Sequence, residues 1–307
     1  MMSILNSIII PLFKYNPQIY ENFSEKNKEL ISSFLNSYGV RFAGIFGHPN
    51  KTGNFSTIAF MAAFYVFFDD VDKKWLLASI LSIIATAITL LLTGSRTAIV
   101  SSAIFAFAYI CLSFVLKIYK ENKVIKTKLI FVIFLGVCLI TVLLLVLTFN
   151  DSYRHTFFNQ IIRVSSISDG SGRDKIWQKS IPLGLTHPFI GISQIKLSNI
   201  IGMDSHNTYI QIFATSGIPC FILFIIYIVY SLYSGFRNIF ESYKNNTNLL
   251  LSIFLLSSLL GILLENCFER MMFCLFFTPG FFGYYIVNAN IQLASNNKKI
   301  TSLGITD

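Results

Sequence analysis

Residues 75–116 read WLLASILSIIATAITLLLTGSRTAIVSSAIFAFAYICLSFVL. Residues 75–93 and 97–116 are almost wholly apolar, and only Gly94, Ser95 and Arg96 stand between them. The hydrocarbon core of a bilayer is about 30 Å thick and a helix rises about 1.5 Å per residue, so roughly 20 apolar residues make a helix that crosses it. Two such runs joined by three residues are two spans with a tight turn. The turn puts Arg96 at or just below the membrane surface, where an ionisable group is expensive and is a functional candidate by default.

The same pattern recurs on both sides of this pair, at about 55–68, 129–149, 209–234, 249–264 and 271–291, which makes seven spans. The composition agrees. The 307 residues are 54% hydrophobic and 13% charged, with a mean hydropathy of +0.63, whereas a soluble domain carries about 25% charged residues. The expected fold is all-α: a polytopic transmembrane helical bundle of about seven spans, with one long extracytoplasmic loop containing short helices. It divides into an N-terminal segment (1–54), four transmembrane helices (55–149), the long loop (150–207), three more helices (208–291) and a tail (292–307). No internal repeat is visible. Residues 3–13 are apolar but lack a basic start and a small-residue cleavage site, so no cleavable signal peptide is expected. Four of the five cysteines (Cys111, Cys138, Cys220 and Cys274) fall within apolar runs and Cys267 sits at an edge. None has metal-ligand spacing, and they read as small apolar filler.

The net charge of +9 points to an anionic partner. The basic residues lie between spans, which favours lipid headgroups and topology over nucleic acid. Five lysines crowd the segment 117–128, and the positive-inside rule makes that side cytoplasmic. The tail then lies inside, and the long loop, residues 41–54, the Gly94–Arg96 turn and residues 267–270 face outward. The two sides carry 13 and 11 basic residues, so totals do not decide the orientation, but residue types separate. Ten of the seventeen lysines fall inside, and six of the seven arginines fall outside, Arg237 being the exception. A guanidinium is a permanently charged planar fork that grips phosphate with paired hydrogen bonds.

Residues 150–207 are the one long polar stretch between strong apolar runs, and they hold Arg154, Arg163, Arg173, His155, His187 and His206. In SISDGSGRDKIW, Arg173 opens a helix after a glycine-rich turn, where free N–H groups and the helix dipole favour an anion. Arg41 also stands beside glycine-containing turns, in RFAGIFGHPNKTGN, which is expected to be a shaped loop entering a helix. Arg154 and Arg163 lie on an amphipathic stretch that suits the membrane surface, and Arg163 is a further substrate-binding candidate. His48 and His187 precede proline; His187 is expected to shape a turn, and His48 is a substrate-binding candidate. His206, in DSHN at the re-entry to the membrane, has Asp204 and Asn207 near enough to orient its ring. An imidazole there can take a proton from a sugar hydroxyl. Among the carboxylates, only Glu265 and Glu269 approach a membrane-buried pair, and both lie at the outer edge.

RFAGIFGHPN, then TGSRTA between closely spaced spans, then GRDKIW, THPFIG and SHNTYIQIFATSGIP in one long loop and the span after it, together resemble the O-antigen ligase/polymerase superfamily of membrane glycosyltransferases (Wzy/WaaL type). The resemblance covers about residues 41–291. It implies a metal-independent, inverting enzyme without cofactor in the bacterial inner membrane, with its active site on the extracytoplasmic face. The implied donor is an undecaprenyl-pyrophosphate-linked glycan, and the acceptor is a second glycan, a lipid core or a protein. A chain-length regulator is a further implied partner. By motif, the catalytic residues are Arg96, Arg173 and His206, and Arg41 matches a further arginine motif and is expected to bind substrate; beside them Asp204 and Asn207, which could hold the His206 ring, are substrate-binding candidates. Family members usually carry more spans, so residues 1–54 read as a shortened family N-terminus. Thr215 and Ser216 stand where an acidic residue is common before Gly-Ile. Capsule or O-antigen polymerase is the preferred reading. The alternatives are a ligase, a transporter of lipid-linked sugars and a non-catalytic truncated homologue. The clustering of polar groups at one face favours chemistry over translocation.

Overall fold

The computed structural model describes residues 42, 44–46, 48–69, 72–116, 173–245, 248–269, 272 and 278–302. Every regular element among them is helical, and the chain is a polytopic helical bundle. After a 3₁₀ turn at Gly44–Phe46 come α1 (Pro49–Phe68), α2 (Lys73–Thr93), α3 (Arg96–Val115), α4 (Arg173–Thr186), α5 (Gln194–Ile201), α6 (Thr208–Asn245), α7 (Leu249–Phe268) and α8 (Thr278–Ser302). Among these, α2, α3, α6 and α7 are long and apolar enough to cross a membrane. α1 covers the expected span 55–68, and α8 covers residues 278–291 of the last one. The expected span at 129–149, the lysine-rich segment, Arg41, Arg154 and Arg163 lie outside the described residues.

The described residues form two units. The first holds α1, α2 and α3 as far as Ser102; the second holds α3 from Ala103 onward together with α4–α8.

In the first unit α1 begins earlier than its apolar run. His48 caps it, its Nδ1 accepting the N–H of Asn50 at 3.1 Å. Pro49 takes the first helical position, where its missing N–H removes no bond. The GHPNKTGN stretch is thus mostly helix rather than loop, and Gly53 is interior to α1 because it is a contact point. A Cβ there would stand 2.8 Å from Ser95 Cβ and 3.0 Å from Ala98 Cβ. Thr57 Oγ1 donates to the Ala98 carbonyl at 3.2 Å, and Ser102 Oγ lies 3.3 Å from Thr57 Oγ1. Small residues and hydroxyls are what let spans approach closely where lipid supplies no hydrophobic drive. α2 ends at Gly94, whose φ of 55° is left-handed, and α3 starts two residues later. The inter-span turn is therefore Gly94–Ser95, and Arg96 is the half-buried first residue of α3.

In the second unit α7 is the central helix, 67% buried over its most apolar stretch against 33% for α6. Ile253, Leu256, Leu259 and Ile262 of α7 are fully buried, with Ile286 and Val287 of α8. α6 is two arms, not one rod. Gly217 has φ 80° and ψ 176°, and Pro219 follows it. Ring pairs Tyr209–Phe224 and Phe213–Phe221, each at 6.0 Å, hold the arms side by side. In a continuous helix the carbonyls of Ala214 and Thr215 would accept from Ile218 and Pro219, and Pro219 has no N–H. Loop amides take those carbonyls instead: Ile192 N–H donates to Ala214 at 2.9 Å and Ser193 N–H to Thr215 at 3.3 Å. In return Ile218 N–H donates to the Pro188 carbonyl at 2.6 Å. Two glycines make the clasp feasible. A Cβ on Gly191 would stand 2.3 Å from the Thr215 carbonyl carbon, and one on Gly217 would stand 2.5 Å from the Phe189 oxygen. THPFIG and TSGIP are one structural feature.

Candidate functional site

The site is built on three element ends: the start of α4, the start of α6 and the end of α7. Arg173 is the first residue of α4, and Trp177 follows one turn later on the same face. Trp177 Nε1 donates to the Ser205 carbonyl at 2.8 Å, and its ring lies 6.3 Å from that of Phe268 on α7. Farther along this face Gly184 meets Phe213 of α6, where a Cβ would come within 2.7 Å. α4 is thereby fixed against α6 and the end of α7, with Arg173 at its tip.

The connection 202–207 is held from both sides. Gly202, with φ 84°, closes α5 and turns the chain back. Ser205 N–H donates to Gln211 Oε1 at 3.0 Å, and Ser205 Oγ donates to the Asn207 carbonyl at 2.9 Å. Asn207 Oδ1 accepts the N–H of Ile210, an N-terminal cap for α6, while its Nδ2 donates to the Cys267 carbonyl at 2.8 Å. Thr208 Oγ1 is 2.7 Å from Asn266 Oδ1 and 3.1 Å from the Glu269 carbonyl. The DSHNT segment is therefore clipped to the last turn of α7. His206 itself has φ 50°, a left-handed conformation unusual for a residue with a side chain. Strain of this kind persists only where the surroundings impose it, and it clusters at functional sites.

The side chains converge on Glu269. Arg173 Nη2 is 2.6 Å from Glu269 Oε1, and His206 Nδ1 is 3.5 Å from Oε2. The carboxylate is 8% exposed, the guanidinium 18% and the imidazole 33%. Burial of this ion pair strengthens it, and loss of either partner would leave an uncompensated charge. With the proton on Nδ1, the tautomer a carboxylate at that position favours, Nε2 is the acceptor nitrogen. Chemically the site offers a guanidinium for an oxyanion beside an imidazole able to take a proton. Among the described residues no group of three or more His, Cys, Asp or Glu comes together to hold a metal ion.

The structure thus brings Arg173 and His206 onto one carboxylate. Asp204 accepts from Ser198 Oγ at 3.2 Å and Gln194 Nε2 at 3.4 Å, both on α5, and Asn207 caps α6. The group at the ring is Glu269, which sequence reasoning left without a role. Its only signal was an acidic residue at the edge of an apolar run. His48 is the cap of α1, and Arg96 begins α3; both lie in the first unit.

The family model for O-antigen ligase matches residues 80–225, from α2 into the long arm of α6. Arg96, Arg173 and His206 fall within the match, and Glu269 falls beyond it. No curated protein and no solved structure matches the chain. A helical membrane bundle that carries this match over its central residues is similar there to the O-antigen ligase family.

Proposed function

We propose that the chain is a membrane glycosyltransferase that polymerises undecaprenyl-pyrophosphate-linked oligosaccharide repeat units for a cell-surface polysaccharide, on the extracytoplasmic face of the bacterial inner membrane. The observation that carries this reading is the convergence of Arg173 and His206 on Glu269, where the end of a span meets the polar loop. A lipid-linked diphosphate presents its charge at that level, in the headgroup region.

The chemistry follows from the groups present. Arg173 and the free N–H groups of the first turn of α4 bind the diphosphate and stabilise the charge that grows on it. A hydroxyl of the acceptor sugar attacks the anomeric carbon from the opposite face, which inverts its configuration. The bond to the diphosphate oxygen breaks, and its electron pair leaves with undecaprenyl diphosphate. The hydroxyl proton passes to Nε2 of His206. Diphosphate is a good leaving group once its charge is met by guanidinium, so the step needs no metal in this reading. Arg96 enters through the resemblance, and its test is separate. Arg41, His48, Arg163, Asp204 and Asn207 keep the substrate-binding roles expected of them as part of the same proposal.

The description of the matching family favours a second reading within the same chemistry, a ligase that moves the finished glycan to another acceptor. Glycan analysis of a deletion strain separates the two. Product capped with a single repeat unit means polymerase; polymer left on the lipid carrier means ligase. Restoring single variants then tests the site: normal ladders from both His206→Ala and Arg96→Ala overturn the assignment.

A further inference from the structure

Among the described residues, the contacts of the Glu269 side chain with Arg173 and His206 are unequal. The Arg173 contact, at 2.6 Å, is a short charge-assisted hydrogen bond, while the His206 contact, at 3.5 Å, is at the outer limit of one. The nearly buried carboxylate is shared between these two groups and lies closer to the guanidinium. We propose that Glu269 is a positioning residue that passes from Arg173 to His206 when a diphosphate arrives, so that donor binding switches on the base. This rests on the roles given above to Arg173 and His206.

A diphosphate carries more charge than a carboxylate and matches the guanidinium fork, so it competes for Arg173 with Glu269. As Arg173 turns to the donor, a carboxylate that is 8% exposed loses its shortest contact. Burial makes that state unfavourable unless another donor replaces the lost one. The Nδ1–H of His206 already faces its second oxygen. Drawing closer, Glu269 holds the proton on Nδ1, keeps Nε2 as the acceptor and stabilises the imidazolium once the acceptor sugar has given up its proton. The backbone need not move. Glu269 N–H is bonded to the Glu265 carbonyl at 2.8 Å and its carbonyl to Thr208 Oγ1, while His206 stands between Ser205 and Asn207, both pinned. Rotation of the carboxylate suffices. Among the described residues, further charged groups on these elements are Asp204, bonded to α5, Asp174 and Lys175, which follow Arg173 on α4, and Glu265, one turn before Glu269 on α7 and buried. Donor-first binding order follows, because the acceptor meets a competent base only after the diphosphate has taken Arg173.

The test uses the full-length chain in proteoliposomes, a short-chain polyprenyl-diphosphate glycan as donor and inorganic pyrophosphate as inhibitor. Glu269→Gln keeps the shape and removes the charge. It is expected to lower kcat by about ten- to a hundredfold, part of what a general base supplies, and at the same time to tighten pyrophosphate binding, because Arg173 is released. Glu269→Asp is expected to recover part of kcat. A merely structural carboxylate would weaken both together, and that outcome, or an unchanged kcat in Glu269→Gln, overturns the coupling. His206→Ala working at the wild-type rate overturns the enzyme reading itself. The pyrophosphate arm, read as a shift in melting temperature, still reports on the exchange at Arg173 in that case, so the two failures are distinguishable.

Discussion

The two ends of α6 both bury polar side chains in an apolar bundle, and they do so for different ends. Near its close, Asn238 Nδ2 donates to the Asn290 carbonyl at 2.7 Å, Ser231 Oγ to the Val287 carbonyl at 3.1 Å, and Ser242 and Ser252 hydroxyls lie 2.9 Å apart. Gly235 receives the Asn290 side chain, whose Oδ1 would stand 2.9 Å from an added Cβ. All of these groups are neutral, sealed and in ordinary backbone geometry. At the start of α6 the groups include a carboxylate, a guanidinium and an imidazole, one backbone is left-handed, and the imidazole is a third exposed. Polar content inside a membrane bundle therefore does not identify a site. Charge, strain and access together do, and the Asn238 layer, which has none of them, is helix–helix adhesive.

The largest expected effect breaks the comparison at its charged end. His206→Ala should lower turnover by about 10²- to 10⁴-fold, the span of a lost general base. The ring's one hydrogen-bond partner in the described structure is at 3.5 Å, so thermal stability should change little. Initial rates in proteoliposomes beside a melting curve check both halves. Comparable melting losses would make His206 a structural residue like Asn238.

Next in size is the clasp between the two motifs. Gly217→Ala forces a Cβ to within 2.5 Å of the Phe189 oxygen at a φ of 80°. Strain and clash together should destabilise by about 2–3 kcal/mol. The loss should appear as a lower yield of folded protein and a lower melting temperature. Turnover per folded molecule should hold if the clasp is scaffold and fall if it shapes the site.

Asn238→Leu tests the neutral end. It removes the donor to the Asn290 carbonyl, which keeps its place in the α8 ladder, at a cost of about 1 kcal/mol. Glycan transfer per folded molecule should be unchanged, and a drop in kcat measured on purified protein would extend the functional region along α6.

These residues also show where the sequence was legible. Four of the spans, now α2, α3, α6 and α7, were, because burying a backbone in hydrocarbon demands long apolar runs. Arg173 at a helix start was, because glycine and serine before a charged, apolar-periodic segment mark that boundary. Glu269 was not. It meets His206 from 63 residues away, and only the packing of α7 against the start of α6 joins them. The early start of α1 was hidden too, since Gly53 reads as a breaker until its contact with Ser95 is known.

Asp204 carries the smallest expected effect. Nearness in sequence made it the natural partner for the His206 ring, but the left-handed turn at Gly202 sends its carboxylate back to Ser198 and Gln194. Asparagine at that position keeps an oxygen for both donors and discards the charge. Asp204→Asn should therefore change kcat by less than about threefold, with any loss of substrate binding appearing in KM. Compared in one assay with Glu269→Gln, it asks which carboxylate the imidazole uses. If neutralising Asp204 slows transfer as much as neutralising Glu269, the ring answers to its sequence neighbour after all, and the line between the site at the start of α6 and the neutral Asn238 layer near its close has been drawn in the wrong place.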